Sequence, residues 1–350
     1  MGSDRALNRL ALLVTAALLL SCSPSPPERR TESMFQSVCS ITLYDHATDE
    51  AFAACFERLR GLDAMLSMWK TDSALSRLNA AAGTGPVKVP PELAENLRRG
   101  LELAELSGGR YDPTVGPLVK LWGVGTNYQR VPPASGIRDA LALLDRRGII
   151  LDSAAGTVAL PRAGMSIDFG SQAKGYSARE AGRILASSGV RSALVDLGGC
   201  VLALGSHPSG KAWKIGVQDP FAARGERGER AARDARIIGY FLARESLVST
   251  SGIYERFFRA DGKTWHHIMD TTTGYPVENG LVSATVLLDR EENADGPCLA
   301  ALALGAGEGI AFADRLGAAA VLLDREKRVY LSAAAKENFV LTDASWSVAR

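Results

Sequence analysis

The sequence predicts an α+β fold, a single composite domain of mixed and antiparallel sheet with packed helices. Three observations predict it. Two segments carry apolar side chains in steps of three and four, as amphipathic helices do. At least six short β-branched or apolar runs read as strands. The two kinds of segment do not alternate regularly, which argues against a doubly wound sheet.

Taken in order, the chain opens with Arg5 and Arg9 ahead of an apolar run from Leu10 to Leu20, then Ser21-Cys22. Such a run has signal-peptide length and falls short of a membrane span, which needs about 20 apolar residues. Small residues before a lone cysteine resemble a bacterial lipobox. We therefore expect a lipoprotein signal peptide over 1–21, with lipidated Cys22 as the mature terminus; the competing reading is a plain secretory signal. Residues 22–33, rich in Pro, Ser and charge, read as a tether. The domain is expected over 34–350.

A strand is expected near 40–44. Phe52, Cys55, Phe56, Leu59, Leu62, Leu66 and Trp69 form one helical face over 49–69. A second helix is expected over 91–106, started by Pro90-Pro91 and ended by Ser107-Gly108-Gly109. Strands follow at 157–160, 193–197, 213–218, 238–243, 281–288 and 319–323, with helices over 173–188 and about 296–304. The segments VSTSGIYERFF (248–258) and WHHIMD (265–270) read together as a hairpin turning at Asp261-Gly262. There Glu255 and Arg256 look like an exposed ion pair of little weight.

Composition bounds the function. Lys plus Arg number 40 and Asp plus Glu 39 in 350 residues. No basic footprint for nucleic acid appears, so that partner is set aside. Cys39, Cys55, Cys200 and Cys298 lack metal spacing, and the first two sit in apolar patterns that imply burial.

Several stretches could carry chemistry. In MSIDFGSQAKGY, Asp168 leads into Gly170-Ser171 and a helix whose first turn holds Lys174. A helix N-terminus with a mobile cation suits phosphate, and an aspartate cap with a surface lysine is the alternative. Asp295 could cap a helix or offer a hard oxygen to Mg²⁺. Two of the chain's four histidines, His266 and His267, stand side by side. On a strand only one can face a given site, and a neutral imidazole is well suited to take a proton from a hydroxyl. Asp270 could orient that imidazole or start the turn after it.

Taken together and in order, SMWKTDSALSRLN, SGGRYDPTVGPLVKLWGVG, IDFGSQAKGY, LVDLGG, IGVQDP, STSGIYERF, HIMDTTTGYPV and ADGPCLAALALG resemble the ApbE family, the FAD:protein FMN transferases, often periplasmic lipoproteins. The match runs from about Met34 to beyond Gly305. The resemblance implies that FAD and Mg²⁺ are bound and that a threonine hydroxyl of a target redox protein attacks the FMN-side phosphorus, releasing AMP. It implies His267 as general base, and Asp295 with the Ser171 carbonyl as metal ligands. It places Lys174 at the diphosphate, and Met34, Trp69, Arg110, Tyr111, Asp112, Asp168 and Ile268 in contact with FAD. His266 would then be a bystander. It also implies a bacterial periplasmic location, lipid-anchored to the membrane, with the inner membrane favoured.

The family's metal-site threonine, four residues after the aspartate, is here Leu299, which cannot ligate; Cys298 replaces a polar neighbour. Thr271 stands where the family pattern has proline. FAD pyrophosphatase activity, with water as nucleophile, and a non-catalytic FAD-binding lipoprotein are the alternatives.

Overall fold

The computed structural model describes residues 26–222, 236–289, 291–292 and 295–349. The predicted signal peptide, Cys22 and the first part of the tether lie outside the described residues.

The scaffold is a nine-stranded sheet whose spatial order follows the chain. Its strands are β1 (Glu28–Met34), β2 (Ser37–Leu43), β3 (Ser192–Leu197), β4 (Cys200–Gly205), β5 (Ser246–Gly252), β6 (Leu281–Asp289), β7 (Ala319–Asp324), β8 (Arg328–Leu331) and β9 (Ser347–Val348). All neighbours pair antiparallel except β8 and β9, which run parallel.

Side chains alternate across this sheet, and both faces are covered. On β7, Ala320 and Leu322 enter a core shared with the helices. Ala319, Val321 and Leu323 enter a second core on the other face, against Trp213, Ile215, Val217, Ile238 and Phe241. Those residues belong to a three-stranded sheet of Trp213–Gln218, Ile237–Ala243 and Phe339–Leu341. A strand with two buried faces reads as a continuous apolar run, which is why AAVLLD was legible.

The helices are α1 (Asp49–Leu66), α2 (Ala74–Ala80), α3 (Pro91–Leu106), α4 (Gly116–Trp122), α5 (Ala134–Leu141), α6 (Ala173–Ser187), α7 (Asp295–Leu304), α8 (Ala306–Arg315) and α9 (Ala333–Asn338), the last of which packs into the second core through Ala335. Helix α1 starts on Thr48, whose side chain accepts from the Ala51 N–H, and it buries the predicted apolar face. It stops at Ser67, so Trp69 belongs to the following loop rather than to the helix. A small cluster of α4, α5 and the 257–266 hairpin includes Trp122, whose indole N–H donates to the Gly274 carbonyl (2.9 Å). None of the described helices is long and apolar enough to cross a membrane.

Two expectations need correcting. Residues 28–33 are edge strand, not tether: ERRTESM pairs along its whole length with β2. An edge strand needs little apolar patterning, and its charges keep other chains from pairing with it. The VSTSG segment is likewise not part of the 257–266 hairpin but strand β5 within the main sheet. The hairpin itself pairs Phe257–Ala260 with Lys263–His266, turning at Asp261 and Gly262, both with positive φ. The four described cysteines are buried and unbridged.

Candidate active site

Loops from both layers converge on a cleft of about 300 Å³. Its walls come from the β1–β2 turn, the loop after α1, residues 110–112, the segment 168–174, Gly198 of the β3–β4 turn, the end of β5 with the residues after it, the alternate residues His267, Met269 and Thr271, and the start of α7. Helices α6 and α7 both begin at this cleft, since Ala173, Lys174 and Asp295 line it. Two helix N-termini facing one space favour an anion there.

His267 lines the cleft, and its orientation is set by backbone. Its Nδ1 lies 3.1 Å from the Arg256 carbonyl oxygen, which also accepts the His267 backbone N–H at 3.2 Å. A carbonyl only accepts, so Nδ1 carries the proton and Nε2 holds the lone pair. Burial, followed by the Arg256 and His266 side chains, holds the imidazole well below its ordinary pKa. It is therefore neutral near pH 7 and able to take a proton.

His266 points the other way. It is buried, with Nε2 2.9 Å from the Val277 carbonyl and Nδ1 accepting from the Ile268 N–H (3.3 Å). Its ring nitrogens are both engaged in holding the chain, as the alternation of side chains along an extended segment requires. Asp270 does not orient His267. It accepts from the Thr272 N–H (2.8 Å) and Arg110 Nη1 (3.4 Å), so it starts the turn.

Asp295 is buried at 3% exposure, and its Oδ1 accepts from the Ser249 hydroxyl (2.9 Å). The Ser171 carbonyl faces the same helix start: a β-carbon added to Gly296 would lie 3.8 Å from it. Thr250 and Ser251 also line the cleft, although the Thr250 hydroxyl lies 3.0 Å from that of Thr285. This is a hard-oxygen set, the kind that suits a divalent cation such as Mg²⁺. Among the described residues no three His, Cys, Asp or Glu side chains gather closely enough to hold a metal alone. Leu299, one turn after Asp295, lines the cleft and contributes no oxygen.

The remaining carboxylates are locally held. Asp168 Oδ1 accepts from the Gly170 N–H (2.9 Å); burial raises its pKa, opposed by that hydrogen bond and by Arg256 and Lys120. Asp112 accepts from the Thr114 N–H and hydroxyl (2.8 and 2.6 Å), and burial raises its pKa too. Tyr111 donates its hydroxyl to Gln172 Oε1 (2.6 Å), closing the cleft floor.

Of the residues predicted from sequence, Trp69, Arg110, Tyr111, Asp112, Asp168, Ser171, Lys174, His267 and Asp295 meet in this one cleft. Met34 and Ile268 do not: their side chains are buried in the main core at 5% and 1% exposure. Met34 ends β1 facing inward, and the turn after it reaches the cleft instead. Ile268 alternates with His267, and its backbone N–H and C=O are taken by His266 and Val277. Sequence reasoning passed over Phe35, Gln36 and Asp63, for which the sequence offers no motif. It also discounted Arg256, whose ERF context beside a Ser/Thr-rich strand was the available signal.

A neutral imidazole, a buried carboxylate and two helix N-termini around one cleft define an acid–base site for a phosphorylated substrate. Comparison with known proteins narrows this. Residues 35–323 match the ApbE family. A FAD:protein FMN transferase of Treponema pallidum is 34% identical over 339 residues, covering 92% of this chain and 91% of its own. One from Klebsiella pneumoniae is 34% identical over 313 residues, covering 88% and 92% respectively. The solved ApbE protein of Thermotoga maritima superimposes with a TM-score of 0.80 at 27% identity, covering 89% of this chain and 99% of its own. The chain belongs to the ApbE family.

Proposed function

We propose that this protein transfers FMN from FAD to a target protein, through a threonine hydroxyl of that acceptor. The family assignment supports the transfer, and the observation that carries the mechanism is the meeting of His267 and Asp295 in one cleft. Nε2 of His267 takes the hydroxyl proton as the oxygen bonds to the FMN-side phosphorus. The bond from that phosphorus to the bridging oxygen breaks, and AMP leaves with the electron pair. Cleaving a diphosphate spreads negative charge over its oxygens, so positioning and cationic stabilisation supply most of the rate.

Asp295 and the Ser171 carbonyl would hold Mg²⁺, which neutralises phosphate charge when bound. Because the protein offers few oxygens and Leu299 offers none, water and the substrate phosphates would have to supply the remaining ligands. Lys174 serves as a point charge for the diphosphate. Trp69 offers a ring for stacking on a flat heterocycle. Lipidation at Cys22 and a periplasmic site anchored to the membrane belong to the same reading; they rest on the N-terminal pattern.

The test is incubation with FAD, Mg²⁺ and a candidate redox acceptor, with mass spectrometry of the acceptor. A mass gain equal to FMN, together with AMP, is expected. Free FMN without an adduct would mark water as the nucleophile, and bound FAD without AMP would mark a binding protein.

A further inference from the structure

We propose that the Arg256 guanidinium is the second cation of the diphosphate clamp, held in place by the β1–β2 turn and paired functionally with Lys174. This rests on the flavin-transferase reading.

Two features hold the side chain in the cleft, and a third ties its backbone to the imidazole. Its Nη1 donates to Gln36 Oε1 at 3.3 Å. Its stem runs along Gly125, where φ is +83° and an added β-carbon would lie 3.4 Å from Arg256 Cδ. Its backbone carbonyl accepts both the Nδ1 proton and the N–H of His267. One residue therefore fixes the imidazole and carries a permanent positive charge into the same space.

The turn that receives it is a two-residue hairpin loop. Phe35 and Gln36 both adopt left-handed backbone, at φ 52° and 56°, although neither is glycine. Such positions cost about 1 kcal/mol or more each, and they persist where surrounding structure enforces them. Here the hairpin turn between Met34 and Ser37 imposes them, and Asp63 braces it: Oδ1 accepts the Phe35 N–H (3.1 Å), while Oδ2 is paired with Lys70 (2.6 Å). The turn, braced from α1, places Gln36 at the cleft, where it meets the guanidinium.

The other cleft arginine is committed elsewhere, since Arg110 bonds Asp270 and Thr272 at 3.4 and 3.3 Å. Lys174 comes from the start of α6, and Arg256 from beyond the end of β5. A planar guanidinium offers two parallel N–H donors in a fixed fork to a pair of phosphate oxygens, where a lysine acts as a point charge. That geometry matches the two non-bridging oxygens of one phosphoryl group, and the charge opposes the negative charge that builds as AMP departs.

The experiment compares wild type, Arg256→Gln, Arg256→Lys and Gln36→Ala in steady-state FMN transfer with FAD and Mg²⁺, each checked for an unchanged unfolding temperature. Loss of one charge-assisted contact predicts a fall in kcat/KM for FAD of roughly 10- to 100-fold in Arg256→Gln. Arg256→Lys should recover part of it. Gln36→Ala keeps the charge but frees it and should show a smaller loss, mainly in KM. Unchanged kcat/KM in Arg256→Gln overturns the assignment, as does an equal loss in both Arg256 variants accompanied by a lower unfolding temperature. A wild-type protein that neither binds FAD nor transfers FMN would instead overturn the functional reading.

Discussion

His267 and His266 show how one peptide unit separates a residue that faces the cleft from one that holds the chain. Replacing His267 with alanine should abolish transfer, because the proton acceptor is gone. FAD binding, followed by flavin fluorescence, should be spared; its loss would mean that the ring supports the cleft wall. Since burial and Arg256 keep this imidazole neutral, the acid limb of kcat against pH should lie below the ordinary histidine value of about 6.5. An acid limb at or above that value would mean that some other group is the base. His266 makes a prediction about stability. Burial lowers its pKa from 6.5 to about 4, with its bond to Val277 opposing. Above the unfolded value both states are neutral and the group contributes nothing. As pH falls toward 4, the unfolded chain takes up a proton that the native state refuses, so stability falls by on the order of 3 kcal/mol. Urea unfolding at pH 7 and pH 4.5 reads this, and equal midpoints would contradict it.

Elements differ in how much of themselves the sequence displays. Helices α1 and α3 were legible because each buries one stripe and caps recognisably. Strands β6 and β7 were legible because burial on both faces leaves a largely apolar run, broken in β6 only by the small Ser283 and Thr285 before its final aspartate. Strand β1 was hidden, since at a sheet edge its hydrogen bonding needs only one neighbour and its side chains stay charged. The β3–β4 turn shows a close approach that no local pattern announces. Gly198 has φ +72°, and a β-carbon there would stand 2.1 Å from Ser37 Oγ. Gly198→Ala should therefore push the β1–β2 turn away and destabilise the fold by about 1–3 kcal/mol, through backbone strain and overpacking. Chemical denaturation checks the stability. A variant as stable as wild type would mean that the two turns move apart freely.

For the molecule as a whole, the cleft lies where separately packed units meet. Phe35 packs against two of the hydrophobic clusters, and Met269 belongs to a third, the one around Trp122. A ligand filling the cleft should brace all of these units together. FAD with Mg²⁺ at a hundred times its dissociation constant should add about 2.7 kcal/mol. The melting temperature should rise with FAD concentration, and the rise should shrink with EDTA. A rise unaffected by EDTA would mean that the metal plays no part in holding the dinucleotide.

By itself the sequence determined the α+β class, most helices and inner strands, and, through a resemblance spread over eight motifs, the family and most of the predicted residues that meet in the cleft. Those features follow from side-chain periodicity and local turn chemistry, which a chain carries wherever it folds. Tertiary structure alone decided which neighbour faces the cleft, so that Met34 and Ile268 joined the core while Gln36 and Arg256 joined the site. That choice depends on strand register and on contacts between residues up to 220 positions apart, such as Arg256 with Gln36, and no local pattern encodes them.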